Sequence, residues 1–192
     1  MMHLVTAKMV NSNDDPLFWI GNLAPDAIYS REKKDIIHFR RVKDREKALI
    51  NLANNINSND SFAEGVLLHL FLDWKWDKGP QKKYFEEEKE KENWFLSYRR
   101  EIALTSLFLY NDNNWSKDVW EKMIQCDPNN YGKIEGISKE DIIDFLNINY
   151  NWHEKNKPEE KMYFSTEYVY DFLSNSAKEY IKWRKSHKVT EM

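Results

Sequence analysis

The sequence predicts an all-α protein, one domain spanning residues 1–192 and built as a multi-helix bundle. Three observations lead there. Apolar residues recur at three- and four-residue steps through most of the chain, and the alternation of a half-buried strand is nearly absent. Only five Gly and five Pro punctuate 192 residues, as long helices with few tight turns require. Hydrophobic residues make up 41% and aromatics 15%, including eight Trp, enough to fill a core of this size.

The elements follow in order. Residues 2–10 form a short helix with His3, Ala7 and Val10 on one face. Pro25 then fixes the backbone after the apolar run Phe18-Trp19-Ile20-Gly21-Asn22-Leu23-Ala24, so Asp26 sits at a turn or in a first helical turn. Leu49, Leu52, Ala53 and Ile56 mark a second helix after Asp44. The third spans 61–78. Ser61 followed by Glu64 reads as a capping box with Ser61 as N-cap, and Gly79-Pro80 is its stop. Glu64 is thereby assigned to capping. The helix is too short and too interrupted to span a membrane.

Residues 81–93 are charge-dense and read as a mobile loop or an exposed helical turn. A helix over 94–110 carries Phe95, Tyr98, Ile102 and Leu109 at its apolar positions. Ser116 caps Val119, Trp120, Met123 and Ile124; after a polar loop at 127–136, Ser138 caps Ile142, Ile143, Leu146 and Tyr150. The last helix covers about 165–185, with Tyr168, Phe172 and Ile181 on its buried side.

Net charge of −3 and a pI near 6.0 argue against a generic nucleic-acid binder. Neither a secretory signal nor a transmembrane run is visible, and Cys126 stands alone, so the expectation is a soluble cytoplasmic protein.

The chemistry concentrates in one helix. In Val66-Leu67-Leu68-His69-Leu70-Phe71-Leu72-Asp73-Trp74-Lys75-Trp76 the polar residues are His69, Asp73 and Lys75 alone. His69 and Asp73 are four apart and share a face, whereas Lys75 points away toward water. A carboxylate on an apolar face needs a partner, because burying it unpaired is very costly. Further candidates are Asp26, His38 between Ile37 and Phe39, and His3 beside Leu4. Asp77 lies one turn beyond Asp73 at the helix end, while His153 and His187 sit in charged surroundings. A lone apolar-face His is commonly a hydrogen-bonded core residue, and Asp26 reads equally as a helix cap. The 69/73 pair is harder to explain that way. Imidazole and carboxylate together suit zinc, with manganese or iron as substitutes, in a site held between helices.

Taken in order, Gly21-Asn22-Leu23-Ala24-Pro25-Asp26, His38-Phe39 and Gly65-x-x-x-His69-x-x-x-Asp73 resemble the bacterial zinc-dependent phospholipase C family. The resemblance covers about residues 3–77. It implies an all-helical fold related to that of fungal single-strand nucleases. It also implies that Asp26, His38, His69 and Asp73 hold a first zinc, and that Asp73 bridges to a second site shared with His3. Gly79 stands where the family has a further histidine, and Glu101 matches its later glutamate only loosely, so one or two ions are expected rather than three. The implied activity is hydrolysis of a phosphate ester, a small ester or a lipid headgroup, by metal-activated water, with Asp26 doubling as general base. Arg40 and Arg41 could meet a phosphate, although plain surface charge explains them more simply. The alternative to an enzyme is a non-catalytic helical protein, its metal or His–Asp network stapling the fold or an interaction surface.

Overall fold

The helix at 61–78 is the axis on which the others are assembled, and its composition explains why. It is apolar on almost every side, as a helix surrounded by neighbours must be. The computed structural model describes residues 1–158 and 162–187. Among these residues the chain forms α1 (Met2–Val10), α2 (Pro16–Gly21), α3 (Arg31–Ile37), α4 (Arg45–Asn55), α5 (Ser61–Lys78), α6 (Pro80–Glu88), α7 (Trp94–Asp112), α8 (Ser116–Gln125), α9 (Lys139–Lys155) and α10 (Thr166–Ser186). Short 3₁₀ turns occupy Ala24–Asp26 and Pro128–Asn130. The all-α, single-domain expectation is met: no strand forms among the described residues beyond one isolated bridge between Ile134 and Ile137. No described helix is long and apolar enough to cross a membrane.

α1, α2, α4, α6 and α10 all pack against α5. Phe62, Leu67, Leu68, Leu70, Phe71, Leu72, Trp74 and Trp76 are buried along it, as is His69. Burying a Leu or Phe contributes roughly 1.5–3 kcal/mol, so this one helix supplies much of the drive to fold.

The closest crossing is between α2 and α5, and two glycines make it possible. A Cβ at Gly65 would lie 2.1 Å from the Phe18 carbonyl oxygen, and one at Gly21 would lie 2.0 Å from that of Phe62. Gly65, His69 and Asp73 follow one another at four-residue steps on the same stripe of α5. The stripe therefore begins with a point of backbone contact and continues as polar side chains facing the same neighbours.

The Ser138 cap follows expectation and, with Asp141, forms a full capping box. Asp44 and Ser165, at the expected helix starts, prove to be N-caps as well, accepting from the Lys47 and Tyr168 N–H groups. Two expected caps do not form. The N-cap of α5 is Asp60, whose carboxylate accepts from the Ala63 N–H at 3.0 Å, so Ser61 is already helical. Glu64, released from capping, instead ties α5 to α10. It accepts from Arg184 Nε at 3.0 Å and lies 3.4 Å from the Tyr180 hydroxyl. Ser116 is likewise the first helical residue of α8, with Trp115 as N-cap and no side-chain capping bond.

α10 also turns a different face inward. Val169, Leu173, Ser176, Ala177, Tyr180 and Arg184 are buried, whereas Tyr168 is exposed and Phe172 and Ile181 are half-buried. The Glu64 partnership draws Arg184 into the interior and sets that rotation. Residues 80–88 form a regular helix in place of the expected loop or single turn.

Gly65→Ala gains about 1 kcal/mol of helix propensity but must push two backbones apart, so a net destabilisation of about 2 kcal/mol is expected. Urea unfolding with an unchanged slope and a lowered midpoint is the measurement that checks it.

Candidate metal centre

Four segments deliver five side chains to one point. α1 contributes His3, the Ala24–Asp26 turn Asp26, the C-cap of α3 His38, and α5 both His69 and Asp73. Five of the candidates read from the sequence, His3, Asp26, His38, His69 and Asp73, meet here. One ligand atom from each of His3, Asp26 and His69, and likewise from His38, His69 and Asp73, lie within 4.8 Å of one another.

Backbone carbonyls fix the two innermost rings. His38 Nδ1 is 2.7 Å from the Lys34 carbonyl and His69 Nδ1 is 2.9 Å from that of Asn22. A carbonyl only accepts, so each Nδ1 carries the proton and each Nε2 presents a lone pair. Those two Nε2 atoms nevertheless face each other at 3.0 Å. His38 Nε2 is also 3.4 Å from Asp26 Oδ1 and 3.4 Å from Asp73 Oδ2, while His69 Nε2 is 3.9 Å from each. With a single proton on each ring, lone pair would meet lone pair at every one of these contacts.

A second proton on an imidazole would relieve one such contact. On His69 it is absent at neutral pH, because burial, helped by neighbouring His3, pushes that ring down to about 3. Burial alone would raise the Asp26 carboxyl, but close contact with His38 and the nearby His69 and Lys34 together hold it well below the usual carboxylate range. Asp73 is held low in the same way, against its burial, by His3 and His69. Imidazole and carboxylate acceptors thus converge around an unprotonated His69 Nε2, the donor set that suits a divalent cation.

His3 completes the cluster. Its ring stacks on His69 at a centroid distance of 3.9 Å, and its Nε2 lies 3.4 Å from Asp73 Oδ1. Asp73 therefore turns one oxygen to His3 and the other to His38 and His69. Asn22 supports both rings, donating from Nδ2 to the His3 carbonyl at 2.6 Å while its own carbonyl accepts from His69. His3 Nδ1 is buried without a partner.

The cluster is closed on the inside and open on one side. His38 and His69 are fully buried, while Asp26 retains 27% and Asp73 17% side-chain exposure. Two cations stand on that rim: Lys34 Nζ is 2.6 Å from Asp26 Oδ1, and Arg40 Nη2 is 3.0 Å from Asp73 Oδ2. Arg40 is brought there by Phe39, whose φ of 54° makes it the single non-glycine residue with positive φ among those described. Arg40 is therefore more than the plain surface charge the sequence suggested. Arg41 pairs with Glu32 instead.

The remaining candidates lie elsewhere. Asp77 Oδ2 is taken by Arg40 at 3.0 Å and Arg45 at 2.6 Å. Glu101 accepts from the Tyr163 N–H. His153, placed in charged surroundings by its neighbours in sequence, is buried and bonds Ser106 Oγ at 2.9 Å. Asn22 and Lys34 belong to the site, yet sequence reasoning passes over both. The available signal for Asn22 is its place in the Gly21-Asn22-Leu23 run, a polar residue between apolar ones. No family model, curated protein or solved structure matches this chain.

Burial also lowers His153 to about 3. An unfolded histidine takes up its proton near pH 6.5, so between about 6.5 and 3 the unfolded chain binds more protons and stability falls as pH falls. Each buried imidazole contributes at most about 1.4 kcal/mol per pH unit over that window. Chelator-treated protein should melt at progressively lower temperature from pH 7 to pH 5, and His153→Gln should flatten that dependence.

Proposed function

We propose that this protein is a metal-dependent phosphoesterase whose centre is formed by His3, Asp26, His38, His69 and Asp73, with zinc as the best-suited ion. One observation carries the proposal. Two imidazoles with their protons committed to backbone carbonyls aim their lone pairs at each other and at two carboxylates. Lys34 and Arg40 reach the carboxylates from the rim, but the facing ring lone pairs find a common partner only in a cation. The Lys34 and Asn22 carbonyls behind the rings are the outer partners that metal-bound histidines ordinarily have.

The split of Asp73, one oxygen toward His3 and one toward His38, supports a carboxylate shared between two ions. Bound ions would lower the pKa of a coordinated water toward about 7 and neutralise phosphoryl oxygens. This chain's own residues do the rest. Asp26 and Asp73 face the open side, where a substrate can approach. Lys34 and Arg40 flank that opening with charge suited to phosphate oxygens. Asp26, held so far below neutrality, is a better ligand than proton acceptor, so any role as general base is secondary to coordination.

The resemblance to the zinc-dependent phospholipase C family agrees with this reading, residue for residue, over the five ligands. The half-buried free thiol of Cys126 is compatible with a reducing, cytoplasmic setting. A second reading, a structural metal staple without catalysis, draws on Lys34 and Arg40 as well. Both already pair with the two carboxylates and so neutralise the centre from within the chain.

Purified protein should carry one or two equivalents of zinc, and Asp73→Asn should lose most of it. Zinc-loaded wild type should hydrolyse bis(p-nitrophenyl) phosphate, with a loss of at least about 100-fold in Asp73→Asn (close to 3 kcal/mol of transition-state stabilisation). Bound zinc without activity would favour the staple. Absence of metal, with no activity on adding zinc, would overturn the phosphoesterase.

A further inference from the structure

Beside the centre, where the N-terminal turn of α4 meets the C-terminal half of α5, lies a groove with a cavity volume of about 670 Å³. Its cations are Arg40, Lys43, Arg45, Lys47 and Lys78, and Trp74 forms part of its wall. Asp44, Glu46 and Asp77 share the lining, but two of these three carboxylates are already engaged. Asp77 accepts from Arg40 and Arg45, and Asp44 accepts from the Lys47 N–H as the cap of α4. Lys43 and Lys47 have no ion-pair partner among the described residues. Lys78 rests over the Trp74 ring at 4.3 Å.

Cations in this wall outnumber carboxylates, five to three. Arg45, with a side chain only 12% exposed, spends Nη1 on Asp77, while its Nε and Nη2 and the Trp74 indole N–H are buried without an acceptor and closed to a ligand in the groove. The first turn of α4 adds the Arg45 and Glu46 backbone N–H groups, left over after Asp44 caps that of Lys47, and the positive end of its dipole. A wall with surplus positive charge is complementary to an anion rich in oxygen acceptors.

The groove and the centre share a side chain. Arg40 reaches Asp73 of the centre with Nη2 and Asp77 of the groove with Nε, each at 3.0 Å. Those two aspartates are one turn apart on α5, a rise of about 6 Å. With the whole chain at a net charge of −3, this positive field is local.

We propose that the groove binds a second anionic group, a phosphate, on a small ester whose first phosphate faces the metal centre. The substrate class is thereby a bisphosphorylated small molecule. This rests on the phosphoesterase reading for the role of the first phosphate, but the groove residues lie outside the ligand set and are tested separately.

Binding calorimetry on zinc-loaded protein should compare glucose 1,6-bisphosphate with glucose 1-phosphate and glucose 6-phosphate. The bisphosphate is expected to bind at least about tenfold more tightly than either monophosphate. Lys43→Ala/Lys47→Ala, two exposed positions, should reduce that preference to less than about threefold and leave zinc content unchanged. Lys117→Ala/Lys155→Ala, with the same charge change on α8 and α9, should keep it. Equal affinities in the wild type would overturn the groove, as would equal losses in the two double variants. Protein that holds no zinc would defeat the metal reading instead, and the groove would then stand or fall on whether the metal-free protein still prefers the bisphosphate.

Discussion

The approach of α2 to α5 at Gly21 and Gly65 is the constraint from which the rest of the molecule follows. At that distance the C-terminal end of α2 places the Asn22 carbonyl within 2.9 Å of His69 Nδ1. The same residue's side chain holds the His3 carbonyl, so α1 is registered against α2 by the bond that also shapes the cluster. A methyl group at the crossing would separate these partners together, because backbone against backbone has no rotamer with which to yield. Packing and chemistry are thus one geometry. The glycine that lets the helices touch sits four residues before the first inward-facing imidazole.

Electrostatics then decides what the cluster can accept. Burial would drive both carboxylates toward their neutral forms, and yet the surrounding imidazoles, Lys34 and Arg40 hold them ionised. Burial drives His69 the other way, toward neutrality. The outcome is two negative carboxylates beside an unprotonated His69 Nε2. Lys34 and Arg40 offset the charge from the rim, each bound to the carboxylate oxygen that also faces the imidazoles.

Much of this was legible in the sequence because it was local. The helices announce themselves through apolar spacing, and His69 and Asp73 through polarity on an otherwise apolar face. The cap at Ser138 and the helix starts at Asp44 and Ser165 followed from adjacent residues. What failed was non-local. Glu64 read as part of a capping box because its true partner, Arg184, is 120 residues away. That pairing in turn buried a charged residue and rotated α10 relative to the face its hydropathy suggested. His153 has charged neighbours in sequence but is buried in space, bonding Ser106 from α7. Lys34 and Arg40 look like ordinary surface charge until the turn after α3 is known.

That turn carries its own argument. Phe39 sits in the left-handed region, which costs a non-glycine residue roughly 1–2 kcal/mol. Glycine would avoid the cost, but Phe39 packs its ring against the core and a glycine would lose that anchor. The reversal also does something a relaxed helix end would not. His38 and Arg40, two residues apart, both reach Asp73 Oδ2, one from the buried side at 3.4 Å and one from the rim at 3.0 Å. An extended Phe39 would send one of them away from α5. The strain is therefore tied to a specific arrangement, in which a single residue sets the inner imidazole and the outer cation on opposite sides of the same carboxylate.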